Sequence, residues 1–95
     1  MNTDKNINKR NSELSRLHIG PVSEGWLNEI GIYTEEELRA IGPIVAYVKI
    51  CLQQPRASLN LLYGLWAALE GIRWQDVPAE VKEQLRREVQ EITFS

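Results

Sequence analysis

Cysteine and histidine are nearly missing from this chain, and their scarcity excludes several kinds of site. Cys51 is the single cysteine and His18 the single histidine among the 95 residues. One thiol cannot form an intrachain disulfide, and the two residues together are too few for an ordinary zinc site with nitrogen and sulfur ligands. A lone thiol in a small protein is typical of a reducing compartment. His18 in a turn and Cys51 on an apolar helix face do not predict a catalytic pair.

Long apolar runs and a large excess of either charge are lacking too. The apolar stretches at 43–52 and 59–69 fall short of the roughly 20 residues of a membrane span. Residues 1–10 contain no apolar segment of the kind that a signal peptide needs. We therefore expect a cytoplasmic protein without membrane contact. The net charge of −2 excludes a generally basic nucleic-acid coat protein. No glycine-rich phosphate-binding loop is present, and we expect no catalytic residues, cofactor or metal.

Glycine and proline divide the chain into segments that predict an all-α fold. Residues 1–11 are polar and are predicted to be a disordered tail. A chain of this length usually makes one domain, so residues 12–95 are predicted to form a compact domain of five to six helices. The first of these is a short helix at 12–17. The boundaries between the later segments are Gly20-Pro21, Gly31, Gly42-Pro43, Pro55, Gly71 and Pro78.

Residues that favour helix ends mark several boundaries. Thr34 followed by Glu37 predicts a capping box, in which each residue hydrogen-bonds the backbone near the other. Ser23 and Ser58 predict the N-caps of two further helices. Gly31 is expected just past the end of the helix that Ser23 begins, where a left-handed turn is easiest for glycine.

The segment from Pro43 to residue 53 allows two interpretations. Pro43 predicts the first residue of a helix, but residues 44–50 are rich enough in β-branched side chains to form a strand. Because its neighbours are helical and no partner strand is visible, we predict a helix. Its predicted apolar face consists of Ile44, Tyr47, Val48, Cys51 and Leu52.

The two C-terminal segments differ in how apolar residues are distributed around them. Residues 59–69 are apolar around nearly the whole circumference, which predicts a central, buried helix. The last helix, predicted to open at Pro78, is apolar on one side only. Its predicted apolar face is Val81, Leu85, Val89 and Ile92, and its predicted solvated face is Lys82, Glu83, Arg86, Arg87 and Glu91.

Two turns near the N-terminus repeat an Ile-Gly step between helices, at Ile19-Gly20 and Ile30-Gly31. This repetition resembles helix-hairpin-helix architecture. The longer string Leu14…Leu17-x-Ile19-Gly20-Pro21-x-Ser23-x-x-Trp26-Leu27-x-x-Ile30-Gly31-Ile32-x-Thr34-x-x-Glu37-Leu38, then Gly42 and Tyr47, is similar to the C-terminal domain of the TfoX/Sxy family. So is the block Ser58-Leu59-Asn60-Leu61-Leu62-Tyr63…Ala68-Leu69-x-Gly71-Ile72-x-Trp74…Pro78…Lys82…Leu85. The family regulates natural DNA transformation, or competence. The resemblance implies a helical domain with a role in transcription regulation.

One hypothesis is that the hairpin turns bind DNA. In helix-hairpin-helix domains the turn presents backbone N–H groups to a phosphate at a helix N-terminus. Residues 17–38 contain five glutamates and neither lysine nor arginine. We interpret these glutamates as unpaired charges, which would repel phosphate. The candidate DNA contacts are Gly20, Val22 and Ser23 in the first turn, with Lys9, Arg10 and Arg16 as a basic N-terminal arm.

The aromatic residues support a second hypothesis. Most of them are expected in the core, but Trp74 lies in a loop, where it and Arg73 predict a protein interface or a stacked cation–ring pair. The leading interpretation is a non-enzymatic regulatory domain that acts by protein–protein contact. Its candidate partners are a component of the transcription machinery and a second copy of the chain, as a homo-oligomer. Direct DNA binding is the alternative.

Overall fold

The computed structural model describes residues 12–94, and the regular structure within that range is entirely helical. A 3₁₀ turn at Leu14–Leu17 stands where the short first helix was predicted, and a second one covers Trp74–Asp76. Across the described range, no helix combines the length and apolar character needed to cross a membrane. The all-α prediction is confirmed. The five α-helices are α1 (Pro21–Glu29), α2 (Glu35–Ile41), α3 (Pro43–Gln53), α4 (Leu59–Glu70) and α5 (Ala79–Phe94).

Helices α3 and α4 form the centre of the domain. They pack on each other, and α3 also contacts α1, α2 and α5, while α4 contacts α5 and the second 3₁₀ turn. Leu14, Leu27 and Leu38 reach the core from the surrounding elements and are fully buried. The prediction of a central, buried helix is confirmed for α4. The buried residues of the two central helices are Ala46, Tyr47, Ile50, Leu61, Leu62, Tyr63, Leu65 and Ala67.

The turn between α1 and α2 forms as the capping residues predict. The Thr34 hydroxyl accepts the backbone N–H of Glu37 at 3.1 Å. The Glu37 carboxylate accepts the N–H of Tyr33 at 2.8 Å, one residue before the usual capping-box partner. Gly31 has φ 89°, which a side chain would disfavour. The Ile30-Gly31 step therefore forms a turn between two helices, as predicted.

The first described residues are hydrogen-bonded to the α1–α2 hairpin. Glu13 donates its backbone N–H to the carbonyl of Tyr33 at 2.7 Å. The Ser12 hydroxyl donates to the carboxylate of Glu24 and accepts from the side-chain amide of Asn28 at 3.3 Å. These bonds join the segment before the first 3₁₀ turn to α1 and to the turn that follows it.

Two of the predicted N-caps are wrong in detail. Helix α1 begins at Pro21 with Gly20 as its N-cap, and no side chain caps it. Because proline has the φ value that the first helical position requires, the helix starts two residues before Ser23. Ser58 does occupy the N-cap position of α4, but its side chain makes no capping hydrogen bond. Helix α5 begins one residue after Pro78.

Two residues predicted on apolar faces are exposed instead. Leu52 is 81% exposed, because α3 buries the face around Tyr47 and Ile50. A residue two positions beyond Ile50 lies on nearly the opposite side of a helix with about 100° per residue. Ile92, near the end of α5, is 45% exposed. The other three predicted residues, Val81, Leu85 and Val89, do pack against the core.

The face of α5 predicted to be solvated contributes to packing at two positions. Arg86 Nη1 donates a hydrogen bond of 2.8 Å to the hydroxyl oxygen of Tyr63 on α4. Lys82 Nζ lies 5.3 Å from the centre of the same ring, within the range of a cation–π contact. Arg87 and Glu83 form an exposed ion pair at 3.2 Å, as expected of a solvated face. Arg86 is nevertheless exposed, as predicted, and Lys82 is half-buried, so the structure adds the contacts with Tyr63 to the predicted solvated face.

Candidate functional site

A cavity of about 390 Å³ lies where the turn before α1, the start of α4 and the second 3₁₀ turn meet. Sequence reasoning assigned Gly20, Val22 and Ser23 to a DNA site and Trp74 to a protein interface. The structure places all four around this single cavity. The lining residues are His18, Ile19, Gly20, Val22, Ser23, Trp26, Arg56, Ser58, Asn60, Leu61, Gly64, Leu65 and Trp74.

The polar part of the cavity is formed by two helix N-termini that no side chain caps. Val22 and Ser23 are the second and third residues of α1, so their N–H groups have no acceptor within the helix. At the start of α4, the N-cap Ser58 and the second helical residue Asn60 line the same cavity. Arg56 lies at the rim, and no carboxylate lines the cavity among the described residues. The two helix N-termini and Arg56 therefore favour a negatively charged group in the cavity.

The apolar part of the cavity centres on Trp74. This side chain stands in the 3₁₀ turn after α4 and is 44% exposed. Trp26 and Leu61 line the cavity as well, so an apolar surface continues from the exposed ring towards the core. The predicted exposure of Trp74 is confirmed, whereas stacking with Arg73 is wrong. Arg73 Nε instead donates to the carboxylate of Asp76 at 3.3 Å.

A second and larger depression of about 920 Å³ adjoins the first, and His18, Gly64 and Trp74 line both. Three arginines lie along it, and one of them is fixed in place. Arg39 forms an ion pair with Glu35 at 2.7 Å and donates to the carbonyl of Leu69 at 2.8 Å. We call the two depressions together the Trp74 groove. The charged residues of the larger one are Arg16, Arg39, Arg73, Glu35 and Glu70.

The glutamates of residues 17–38 are not five unpaired charges, as the sequence had suggested. Glu35 is paired with Arg39, which lies one residue beyond the stretch considered. Glu29 accepts a hydrogen bond of 3.0 Å from the side chain of Gln54. Glu24 and Glu37 accept the bonds from Ser12 and Tyr33 described above. Only the charge of Glu35 is balanced by a cation in these contacts, because the partners of Glu24, Glu29 and Glu37 are neutral donors. Most of the repulsion of phosphate inferred from this stretch therefore remains.

The two residues considered for nucleophilic chemistry have different surroundings. His18 is exposed, has φ 58° and lies in the groove. Cys51 is half-buried on α3 beside Tyr47. Burial, and then a hydrogen bond with Cys51, raises the pKa of Tyr47 to about 12. Within residues 12–94 no group of three His, Cys, Asp or Glu side chains is placed to hold a metal ion.

Sequence reasoning missed Arg39 and Arg56 and did not connect the two predicted sites. Arg16 and Arg73 lie in the groove, while Lys9 and Arg10 fall outside the described residues. One signal could have indicated Arg56: it stands two residues before an N-cap, where a side chain lies close to a helix N-terminus. Nothing in the spacing of Gly20, Arg56 and Trp74 shows that they meet, because only the packing of α1 on the central helices brings them together.

Comparison with known proteins identifies the family. The sequence model of the TfoX C-terminal domain family matches residues 10–89 of this chain. A crystal structure of a protein of unknown function from Listeria monocytogenes, in a tetragonal form, is 33% identical with a TM-score of 0.75, covering 84% of this chain and 99% of the other. An uncharacterized Listeria monocytogenes protein in a triclinic form is 32% identical with a TM-score of 0.71, covering 80% and 86%. The comparison with curated proteins gave no match. The chain belongs to the TfoX C-terminal domain family.

Proposed function

We propose that this domain is a non-enzymatic regulatory module that acts by binding a protein partner through the Trp74 groove. The observation that carries the proposal is the partly exposed ring of Trp74, which lies at the junction of two depressions. Tryptophan and arginine are the residues most enriched among those that dominate binding energy at protein interfaces. The resemblance to competence regulators favours a component of the transcription machinery as the partner.

The test is cross-linking in the host cell. A photoreactive amino acid replaces Gln75, which lines the groove beside Trp74. A matched probe replaces Lys49, which is exposed on α3 and does not line the groove. We expect a discrete cross-linked protein from position 75 and not from position 49. The product from position 75 should disappear with Trp74→Ala. It should persist with Leu52→Ala, which removes an exposed apolar side chain outside the groove.

Cross-linking of equal strength from both positions would contradict the proposal. So would a product from position 75 that is unchanged by Trp74→Ala. A product with the size of two copies of this chain would identify the partner as a second copy and would retain the groove as the interface.

DNA binding remains the second candidate, and one observation favours it. Val22 and Ser23, whose N–H groups have no acceptor within α1, line the same cavity as Arg56, and free N–H groups beside an arginine are the chemistry of a phosphate site. Neutralising about three phosphates gives a log–log salt slope near −2.7 on duplex DNA. Titration of labelled duplex at several salt concentrations should show that slope if this candidate is correct. Substituting Lys9, Arg10 and Arg16 by Ala should then flatten it, whereas a protein-binding domain should bind duplex no more tightly than about 10⁻⁴ M at physiological salt.

A further inference from the structure

The residues that line the Trp74 groove have an excess of positive charge. The residues that line it include four arginines and two glutamates, whereas the chain has a net charge of −2. Local excess of one sign at a concave surface attracts ligands of the other sign and suppresses binding of similarly charged ones. The groove therefore favours a negatively charged occupant.

Three of the four arginines are available to such an occupant. Arg56 is exposed and forms no ion pair with a described residue. Arg16 and Arg73 form ion pairs of 3.9 Å and 3.3 Å with Glu13 and Asp76, and both arginine side chains are largely exposed. Exposed pairs of this kind contribute little free energy, so a carboxylate on a partner can replace them at small cost.

The shape and lining of the smaller cavity restrict the occupant further. Its volume of about 390 Å³ lies near the lower end of the range of small-ligand sites. Trp26, Leu61 and Trp74 make much of its wall apolar. An extended phosphate backbone alone would leave this apolar wall unused. A large apolar side chain projecting from a peptide fills such a space and gains free energy from removal of apolar surface from water.

We infer that the Trp74 groove binds an acidic peptide segment of a partner protein, whose large apolar side chain enters the cavity beside Trp74 while its carboxylates pair with Arg16, Arg56 and Arg73. This inference rests on the proposed function and specifies the chemistry of the partner. Recognition has two parts: the apolar anchor contributes affinity, and the arginines exclude basic and neutral segments.

The test selects short random peptides displayed on phage against the full chain. Peptides that also bind the Trp74→Ala variant are removed by counter-selection. Enriched peptides are then synthesised with a fluorescent label, and their affinities are measured by anisotropy. The variants compared are the double change Arg56→Glu and Arg73→Glu, the single change Trp74→Ala, and two controls outside the groove, Lys49→Glu and Leu52→Ala. All the substituted side chains are exposed, and thermal melting verifies that each variant folds.

We expect the enriched peptides to be rich in Asp and Glu around a Trp, Phe or Leu. Trp74→Ala and the double arginine variant should each weaken binding by about tenfold or more, equivalent to about 1.4 kcal/mol. The two controls should change it by less than about twofold. Added salt should weaken binding, because screening acts on exposed charges.

The other outcomes separate the inference from the proposed function. Enriched peptides that are neutral or basic, yet depend on Trp74, would overturn the acidic partner and leave the groove as a protein-binding site. If no peptide survives the counter-selection against Trp74→Ala, both fail. Tighter binding of a labelled oligonucleotide than of any peptide, with loss in the double arginine variant, would replace the acidic peptide by a nucleic acid.

Discussion

Arg86 on α5 donates a hydrogen bond to the hydroxyl of Tyr63 on α4, while Lys82 from the same helix lies near the ring of that tyrosine. One side chain of the central helix is therefore contacted by two cations of the last helix. The contact explains how a helix with a strongly polar sequence is held on the core by more than its apolar stripe.

Removing this hydrogen bond should lower the free energy of unfolding. Arg86→Ala and Tyr63→Phe should each cost about 1 kcal/mol, the usual net contribution of such a bond. The double variant should cost less than the sum, with a coupling of about 0.5 kcal/mol or more, measured by urea denaturation. Arg87→Ala, which removes only the exposed pair with Glu83, is the matched control. Strict additivity of the two changes would show that the bond contributes nothing in solution.

Truncation in the central helix should be far more costly than truncation of an exposed residue of the same type. Leu62 is fully buried, whereas Leu52 is 81% exposed. Leu62→Ala should lower the free energy of unfolding by about 2–5 kcal/mol, and Leu52→Ala should change it by about 0.5 kcal/mol or less. Denaturation midpoints measure both. Similar values for the two leucines would mean that the core is misplaced.

Substitution by Ala should lower the stability by different amounts at the two N-cap positions, although Thr34 and Ser58 are both residue types that favour N-caps. Thr34→Ala removes the bond to the Glu37 N–H and should cost about 1 kcal/mol. Ser58→Ala removes a hydroxyl that makes no capping bond, and its effect should be clearly smaller. A larger loss for Ser58 in thermal denaturation would show that its hydroxyl caps α4 in solution.

Alkaline pH should destabilise the fold through Tyr47. Its pKa is raised from 10.0 to about 12 in the folded chain by burial and by Cys51. The unfolded chain therefore loses this proton first, and folding stability falls as the pH rises from 10 towards 12. The contribution of neutral Tyr47 to the free energy of unfolding is fully present below pH 10. Comparison with Tyr47→Phe separates the effect of Tyr47 from that of other titrating groups. The stability of the original chain relative to the variant should fall between pH 10 and pH 12. A constant difference would contradict the prediction.

Local signals were sufficient for the fold and insufficient for the site. Thr34, Gly31 and Pro43 mark helix ends by their own backbone chemistry, so the helices could be placed from sequence. Sequence reasoning placed the N-cap of α1 at Ser23, whereas the helix begins at Pro21, because proline is suited to the first helical position. The groove depends on how the packing of α1 on α3 places α1 beside the start of α4, and those contacts are long-range. Trp74 and Gly20 were thus recognised separately, but not as neighbours.

The hydrogen bonds of Ser12 and Glu13 to the hairpin fix the point at which the preceding chain joins the domain. Glu13 also lines a recess that shares Arg16 and Arg39 with the Trp74 groove. Glu13 pairs with Arg16 at 3.9 Å as well. The attachment of residues 12 and 13 to the hairpin and the charge at the edge of the groove are thus linked: loss of the Glu13–Tyr33 bond would displace the carboxylate that lies beside Arg16.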